Sequence, residues 1–467
     1  MLEVEEENLL SDHIGTARIV YPAKSVWAVF WFAILGVSAF LGNIYYLGNQ
    51  WQPQRPTSTT PAVLAPTSAP SMESDAEYLF KSERITEPHQ KIEFANPADI
   101  ADFALALRDL AYGRRHEPVR ILHYGDSILT TDELSGRVRY VLQRKFGDAG
   151  HGFVLLAKPW QWYHHLGVEQ GGTLDKWNIR PFTSAPLKDG IYGLGGVAFV
   201  PQRGKNAKAW VQTASEGDQG RVVETFDISY LEQPGGGSFD VYAGNSKRRT
   251  VQTDGSQKQI RHVQVKVKLG SSRLRVVSNN DGPLRLFGVI METGEPGVVY
   301  DSLAINGARA TALARFDSEH WTRELQYRQP SLIILMMGAN EGANKFLNLK
   351  QYRSDFSAIL KTVKSARDDA SCLVVGPLDQ AMKKDTGGLG SKKMPAKLSR
   401  VQREVAFESG CAFFNTYEAM GGEGSMAKWM TTGLGGGDFI HPTKNGAQTL
   451  GNWLAEALLH AYQSYGK

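Results

Sequence analysis

The chain has 467 residues, of which 42% are apolar, so it is long enough to build more than one hydrophobic core. Its formal net charge is +4, a mild excess that is compatible with anionic partners without requiring nucleic acid. The sequence contains no nucleic-acid-reading motif, and its densest basic stretch is only Lys247-Arg248-Arg249. We therefore expect no nucleic-acid partner.

The first predicted element is a transmembrane helix over residues 26–47. This stretch contains no charged residue and is long enough to cross a bilayer. It is too long for the core of a signal peptide, and Trp and Tyr residues lie towards its ends, as they do at membrane interfaces. Arg18 and Lys24 precede it, which favours a cytoplasmic N-terminus. Residues 1–25 are therefore predicted to be a cytoplasmic tail, with the bulk of the chain on the other side of the membrane.

Residues 48–75 are predicted to be a linker. Pro, Ser and Thr dominate this segment, a composition that does not build a packed core. Such a linker would hold a folded body away from the membrane.

Two stretches, residues 76–154 and 296–467, alternate apolar strands with amphipathic helices. VRILHYG and SLIILMMG are examples of the strands, and the helices show apolar residues at helical spacing. Strands that are apolar throughout belong to parallel sheets covered on both faces. The two stretches therefore predict one discontinuous α/β domain.

Between these stretches, residues 155–295 show short alternating strands and many glycines. In HVQVKVKLG, Val263, Val265 and Val267 alternate with polar residues, as in a half-buried strand. This pattern predicts a β-sandwich inserted into the α/β domain. Its Lys and Arg outnumber its Asp and Glu, which fits either a solvated surface or a groove for an anionic polysaccharide.

The chain has two cysteines, Cys372 and Cys411, and no CxxC or Cys/His cluster with zinc spacing. We therefore expect no metal and no cofactor. Each cysteine opens a predicted buried strand, which slightly favours two free buried thiols over a disulfide. If the two strands are neighbours, a disulfide becomes geometrically possible.

Ser127 stands where the strand VRILHYG gives way to a helix, in Gly125-Asp126-Ser127. Ligands of open α/β sheets bind at the carboxyl ends of the strands. A serine at this junction is either a helix cap or a nucleophile, and taken alone the cap is favoured. A serine nucleophile also needs a base, a group that orients the base, and donors for the oxyanion.

Candidate donors follow two later strands. Asn306-Gly307 ends the first, where a glycine N–H is unhindered, and Asn340 follows the strand SLIILMMG. Asp438 and His441 lie in DFIHP, just before the last predicted helix. A carboxylate three residues before a histidine can bind one ring nitrogen and leave the other as a base.

Together these stretches resemble the four signature blocks of the SGNH (GDSL-type) esterases: GDS, the Asn-Gly of INGA, GAN and DxxH. The resemblance implies a flavodoxin-like three-layer α/β/α fold, with Ser127 as nucleophile, His441 as base and Asp438 as its orienting group. It also implies an oxyanion hole made of the Ser127 N–H, the Gly307 N–H and the Asn340 side chain. Two residues depart from the pattern, since Glu341 stands where Asp commonly follows the Asn and Ile128 stands where the name has Leu.

A narrower resemblance involves HYGDS, the following SGRVRYVLQRKFGDAGHGFV and the sandwich between the first two blocks. These features are similar to periplasmic peptidoglycan O-acetylesterases, in which the insert resembles a carbohydrate-binding module. The resemblance implies a serine esterase that removes O-acetyl groups from a cell-envelope polysaccharide, namely the N-acetylmuramic acid of peptidoglycan. It also implies an inner-membrane protein, anchored by residues 26–47, with its catalytic domain in the periplasm.

Two alternatives remain open from the sequence. The same triad can serve a polysaccharide O-acetyltransferase, or the chain can be a wall-binding protein without catalysis. Other features favour ordinary structural roles. We expect His164-His165 to be loop or strand residues rather than metal ligands, Gly193–Val197 to be strand and turn, and Trp160, Trp162 and Tyr163 to pack in a core rather than to line a sugar site.

Overall fold

A computed structural model describes residues 87–217 and 220–465. The predicted tail, transmembrane helix and linker, residues 1–75, lie outside the described residues. Among the helices of the described part, none is both long enough and apolar enough to span a bilayer.

Strands and helices alternate at both ends of the described chain, whereas the middle, residues 150–304, consists of strands and one 3-10 helix. The strands are β1 (Ile92–Glu93), β2 (Val119–Gly125), β3 (Gly150–Leu155), β4 (Val168–Gly172), β5 (Trp177–Pro181), β6 (Val197–Pro201), β7 (Lys208–Thr213), β8 (Val223–Glu232), β9 (Ser238–Ala243), β10 (Ser246–Gln252), β11 (Gln259–Gly270), β12 (Arg273–Ser278), β13 (Leu286–Glu292), β14 (Val298–Ala304), β15 (Leu332–Met336), β16 (Ser371–Val375), β17 (Ala381–Lys383), β18 (Leu389–Ser391) and β19 (Ala412–Phe414). The α-helices are α1 (Ala98–Ala111), α2 (Glu133–Phe146), α3 (Ser318–Arg328), α4 (Ala339–Gly342), α5 (Leu349–Ala366), α6 (Met394–Glu408), α7 (Thr416–Ala419), α8 (Ser425–Thr431) and α9 (Lys444–Tyr465). Short 3-10 helices cover Ser127–Leu129, Leu174–Lys176 and Ala310–Arg315.

The central sheet has the strand order β1-β19-β16-β15-β2-β14. All neighbours pair in parallel except the edge strand β1, which is antiparallel to β19. Counting only the parallel strands along the chain, this is the flavodoxin-like order 2-1-3-4-5. The order reverses beside β2, so the carboxyl ends of β2 and β15 are the expected ligand-binding edge.

Helices cover both faces of this sheet. Successive residues of a strand point to opposite faces, so each strand contributes to both cores. In β15, Leu332 and Ile334 belong to the core shared with α1, α2 and α9. Ile333 and Leu335 face the core that includes residues of α3, α5 and α6. The predicted parallel α/β domain is thus confirmed.

Two antiparallel sheets occupy the middle of the chain, with strand orders β10-β9-β12-β7-β4 and β11-β8-β13-β6-β5. β3 pairs with β13 in the second sheet, so the antiparallel part begins at Gly150, ahead of the expected boundary at 155. The core of these sheets is continuous with one face of the α/β sheet. For example, the Tyr124 hydroxyl at the end of β2 donates to the Leu194 carbonyl.

Cys372 in β16 and Cys411 directly before β19 form a disulfide, with their Cα atoms 4.6 Å apart. The expectation of free thiols is therefore wrong. Parallel pairing of β16 with β19 places Leu373 opposite Ala412, so the preceding residues are brought side by side. The sequence could not decide this point because strand neighbourhood is a long-range property.

The first regular helix after β14 begins only after a 3-10 helix. A 3-10 helix covers Ala310–Arg315, and the regular helix α3 starts only at Ser318. Asp317 caps α3 by accepting the backbone N–H of His320 at 3.0 Å. This cap satisfies an otherwise unpaired donor of the first turn, so it fixes where the helix starts.

Candidate active site

Ser127 begins a 3-10 helix at the carboxyl end of β2, at the sheet edge where the strand order reverses. Asp126 caps this short helix, since its Oδ1 accepts the Ile128 N–H at 3.0 Å. Gly125 is required beside it, because an added Cβ would lie 2.3 Å from the Leu129 side chain. Among the described residues, no acceptor pairs with the backbone N–H of Ser127.

Asp438 and His441 lie on the turn before α9. The carboxylate Oδ1 accepts the backbone N–H groups of Ile440 at 3.0 Å and His441 at 2.9 Å, which closes the turn. The other oxygen, Oδ2, lies 2.6 Å from His441 Nδ1. Burial alone would raise the pKa of Asp438, but the bonds from the backbone and ring of His441 outweigh it and lower that pKa. The aspartate is therefore ionised and holds the ring in one orientation.

The Ser127 hydroxyl completes a relay with this pair. Its Oγ lies 2.7 Å from His441 Nε2, across a sequence separation of 314 residues. With Nδ1 bound to a carboxylate, the tautomer that leaves Nε2 as an acceptor is favoured. The structure thus brings Ser127, His441 and Asp438 into the order of a nucleophile, a base and an orienting acid.

Gly307 and Asn340 lie on the turns that follow β14 and β15. Gly307 has φ +72°, a left-handed conformation that favours glycine, and no acceptor for its N–H is found among the described residues. The Asn340 side-chain amide donates to the Ala308 carbonyl at 2.8 Å, which ties the two turns together. That amide nitrogen carries a second hydrogen for another acceptor.

Asp126 connects the serine turn to the Asn340 turn, a role that the sequence did not reveal. Its Oδ2 accepts the N–H groups of Gly338 at 3.1 Å and Ala339 at 2.9 Å. The carboxyl is fully buried, and burial raises its pKa despite these bonds. The Gly-Asp-Ser tripeptide drew attention to this position, but only the fold shows which backbone N–H groups donate hydrogen bonds to the aspartate.

Glu341 makes the corresponding link to the turn after β14. Its Oε1 accepts the Ala310 N–H at 2.7 Å, while Oε2 is buried without a hydrogen-bond partner among the described residues. Burial, with a further contribution from the Asp126 charge, raises the pKa of Glu341 to about 7. The residue that departs from the family pattern is therefore part of the scaffold beneath the site.

Glu341→Gln is expected to change how stability depends on pH. The folded-state pKa of about 7 lies above the ordinary value of 4.5, so the stabilisation from this bound proton is complete at low pH. It is lost as pH rises through about 7, at a cost on the order of 2–3 kcal/mol. The melting temperature of the unaltered protein should therefore fall relative to that of Glu341→Gln between pH 5 and pH 8.

Glu319→Gln is the matched control, because Glu319 is an exposed glutamate that pairs with Arg323 on α3. It should reproduce the pH profile of the unaltered protein. Parallel melting curves for the unaltered protein and Glu341→Gln across this range would contradict the assignment.

An open cleft of about 540 Å³ lies beside the relay. It is lined by Ser127, Ile128, Thr130, Thr131, Glu133, Trp162, His164, Leu166, Asn306, His441, Pro442, Thr443, Lys444 and Ala447. Asn306 rather than Gly307 or Asn340 contributes to this lining.

Four residues from the sequence analysis take different positions around the cleft. Tyr163 is buried, as expected, whereas Trp162 is 49% exposed and lines the cleft, so core packing was the wrong prediction for it. His165 is buried and His164 is exposed to the cleft. Within residues 87–217 and 220–465, no group of three or more His, Cys, Asp or Glu side chains is placed to hold a metal ion.

Comparison with known proteins agrees with this architecture. Residues 274–449 match the profile of the GDSL-like Lipase/Acylhydrolase family. Among curated proteins, the chain has no match. A solved structure of a peptidoglycan O-acetylesterase is similar over 80% of this chain and 99% of its own, with a TM-score of 0.67 and 22% identity, and it therefore shares the fold.

Two further solved structures have lower similarity. A family two carbohydrate esterase from Cellvibrio japonicus aligns over 63% of this chain and 98% of its own, with 11% identity and a TM-score of 0.26. The CBM35 from Paenibacillus barcinonensis aligns over 30% of this chain and 96% of its own, with 10% identity and a TM-score of 0.19.

The family profile begins in β12 and so includes the turns of Gly307 and Asn340 and the Asp438–His441 pair. The insert separates Ser127 from that region in sequence, but the parallel sheet places it beside His441. By the profile match over residues 274–449 and by its parallel α/β fold, the chain is similar to the GDSL-like Lipase/Acylhydrolase family.

Proposed function

We propose that this protein is a serine esterase that removes O-acetyl groups from a cell-envelope polysaccharide, specifically from the N-acetylmuramic acid of peptidoglycan. The observation that carries the proposal is the relay from Ser127 Oγ to His441 Nε2 at 2.7 Å and from His441 Nδ1 to Asp438 at 2.6 Å. A serine hydroxyl is a weak nucleophile at neutral pH, and a base at this distance can take its proton.

Acylation begins when Ser127 Oγ attacks the carbonyl carbon of the acetyl ester and its proton passes to His441 Nε2. The ester carbonyl becomes an oxyanion, and we assign its stabilisation to the N–H groups of Ser127 and Gly307 and to the Asn340 amide. His441 then gives its proton to the sugar oxygen, the carbon–oxygen bond breaks, and the sugar hydroxyl leaves. The acetyl group remains on Ser127.

Deacylation repeats these steps with water. A water molecule loses its proton to His441 Nε2 and attacks the acetyl carbon, forming a second oxyanion in the same place. The bond to Ser127 Oγ breaks, and the proton returns from His441 to the serine. Asp438, with its lowered pKa, stays ionised and stabilises the imidazolium formed in each half-reaction.

A location outside the cytoplasm fits two features of the chain. The uncharged segment 26–47 would anchor the protein in the inner membrane, and the linker after it would let the esterase reach the periplasm. The Cys372–Cys411 disulfide is a bond that persists in oxidising compartments such as the periplasm.

The choice of a polysaccharide is supported by the sequence around Ser127 and by the inserted antiparallel sheets, both of which resemble envelope acetylesterases. A protein that shares this fold carries the name peptidoglycan O-acetylesterase. An envelope polymer is also a substrate that a tethered enzyme can reach without diffusing.

The proposal is tested by incubating the full-length protein in detergent with O-acetylated peptidoglycan. We expect free acetate to appear together with an equal loss of acetyl groups from the muropeptides, measured by chromatography and mass spectrometry. Base-treated peptidoglycan, which has lost its esters, is the control and should release none.

Two results would contradict the proposal in different ways. If p-nitrophenyl acetate is hydrolysed but acetylated peptidoglycan is not, the esterase chemistry stands and the substrate is wrong. If the acetyl group appears on an added glycan acceptor instead of as acetate, the enzyme is a transferase.

A further inference from the structure

One wall of the cleft comes from the inserted part of the chain. Residues 162–166, called here the cleft strip, lie between β3 and β4. Each of these strands belongs to a different one of the two antiparallel sheets. Trp162, His164 and Leu166 line the cleft, whereas Tyr163 and His165 between them are buried. This alternation presents every second side chain of the strip beside Ser127.

The cleft strip is attached directly to the segment that carries the nucleophile. The His164 N–H donates to the Thr130 carbonyl at 3.0 Å, three residues after Ser127. The Leu166 N–H donates to Asp132 Oδ2 at 2.8 Å, and Arg139 Nη2 donates to the Leu166 carbonyl at 3.0 Å. Both backbone groups of Leu166 are thus held by side chains, one from Asp132 directly before α2 and one from Arg139 within it.

These two anchoring side chains form a buried ion pair. Arg139 Nη2 lies 2.6 Å from Asp132 Oδ2, and each side chain is only 1% exposed. Burial alone would raise the pKa of Asp132, but the Arg139 charge outweighs it and lowers that pKa to about 2. The pair therefore stays ionised and holds the cleft strip at a fixed position relative to Ser127.

The cleft strip presents two large apolar side chains to the solvent-filled cleft. Trp162 is 49% exposed and Leu166 is 38% exposed, and the polar residues Glu133, Thr131 and Lys444 line the same cleft. Concave sites that combine an aromatic and an apolar wall with a few polar groups are typical of small-ligand binding. A pyranose ring matches this combination, since its C–H face is apolar and its hydroxyl edge is polar.

We infer that the cleft strip is the sugar-binding wall of the active site, with the Trp162 indole packed against the ring that carries the acetyl ester. The insert then selects the alcohol part of the ester, while the α/β domain performs the chemistry. This inference rests on the proposed function and adds to it the part of the chain that determines which esters are cleaved.

The test compares Trp162→Ala with the unaltered full-length protein on two esters. One is an N-acetylhexosamine with an O-acetyl group on its primary hydroxyl, and the other is p-nitrophenyl acetate. Loss of ring stacking should lower kcat/KM for the sugar ester by about 10- to 100-fold. The loss should be at least about ten times larger for the sugar ester than for p-nitrophenyl acetate, and it should be expressed mainly in KM.

Two variants serve as controls. Trp162→Phe retains an aromatic face and should recover most of the activity on the sugar ester. Tyr112→Ala removes another exposed aromatic ring, 65% exposed at the end of α1, and should leave both activities unchanged.

Each unfavourable outcome has a separate meaning. Equal losses of Trp162→Ala on both esters would overturn the inference, because the strip would then only position the serine turn. A loss that grows with acyl length on p-nitrophenyl acetate and butyrate would also overturn it, because the wall would then bind the acyl group. If the unaltered protein hydrolyses p-nitrophenyl acetate but not the sugar ester, the proposed function fails instead.

Discussion

Ser127→Ala is expected to lower kcat for p-nitrophenyl acetate by about four to six orders of magnitude. The variant keeps His441 and Asp438 but has no atom that can form the acyl intermediate. Residual hydrolysis would come only from water attacking an ester held by the oxyanion donors. The measurement is the rate of p-nitrophenol release at saturating substrate.

Folding is not expected to change in this variant, because the Ser127 side chain bonds only to His441 among the described residues. The melting temperature should therefore match that of the unaltered protein. Ser365→Ala, which removes an exposed hydroxyl on α5, is the matched control and should retain full activity. Activity within tenfold of the unaltered enzyme in Ser127→Ala would rule out this serine as the nucleophile.

Arg328→Met is expected to destabilise the folded protein by about 3–5 kcal/mol, the second large effect. Arg328 on α3 donates to both oxygens of Asp301, at 2.8 and 3.0 Å, and to Glu292 at 2.8 Å. Glu292 in β13 also binds Arg120 of β2, so the cluster joins the antiparallel sheets to the parallel sheet. Removing the guanidinium leaves the fully buried Asp301 charge without its partner.

Differential scanning calorimetry would show this effect as a fall in melting temperature of at least about 5 °C. Adding Asp301→Asn should recover part of the loss, because the uncompensated charge is then gone. Arg353→Met is the control, since Arg353 pairs with two glutamates on the surface. This substitution should lower the free energy of unfolding by no more than about 1 kcal/mol. Equal effects of Arg328→Met and Arg353→Met would contradict the importance assigned to the buried cluster.

The sequence predicted the parts of the fold that depend on local pattern. The apolar run ending at Gly125 and the DFIHP turn before α9 are both where the pattern placed them. The parallel sheet followed because its strands are apolar throughout, and the positions of Ser127, Gly307 and Asn340 followed from the strand ends. These features need only residue spacing and the rule that parallel strands share one carboxyl edge.

Features that depend on long-range pairing were not predictable in this way. The disulfide required knowing that β16 and β19 are neighbours. The role of Glu341 required knowing that Ala310 lies within hydrogen-bond distance, a contact across 31 residues of chain. Trp162 lies outside the regular strands and helices, and the residue types of 162–166 do not show which side chains point inward, although Trp162 is exposed and its neighbour Tyr163 is buried.

Trapping the acyl-enzyme would show whether Ser127 is the nucleophile of an acyl-transfer reaction. The full-length protein is mixed with p-nitrophenyl acetate, quenched in acid within the first turnover, digested and examined by mass spectrometry. We expect one added acetyl group on the peptide that contains Ser127, and none on that peptide when Ser127→Ala is treated identically. Acetylation of a different residue at the turnover rate, with Ser127 unmodified, would contradict it.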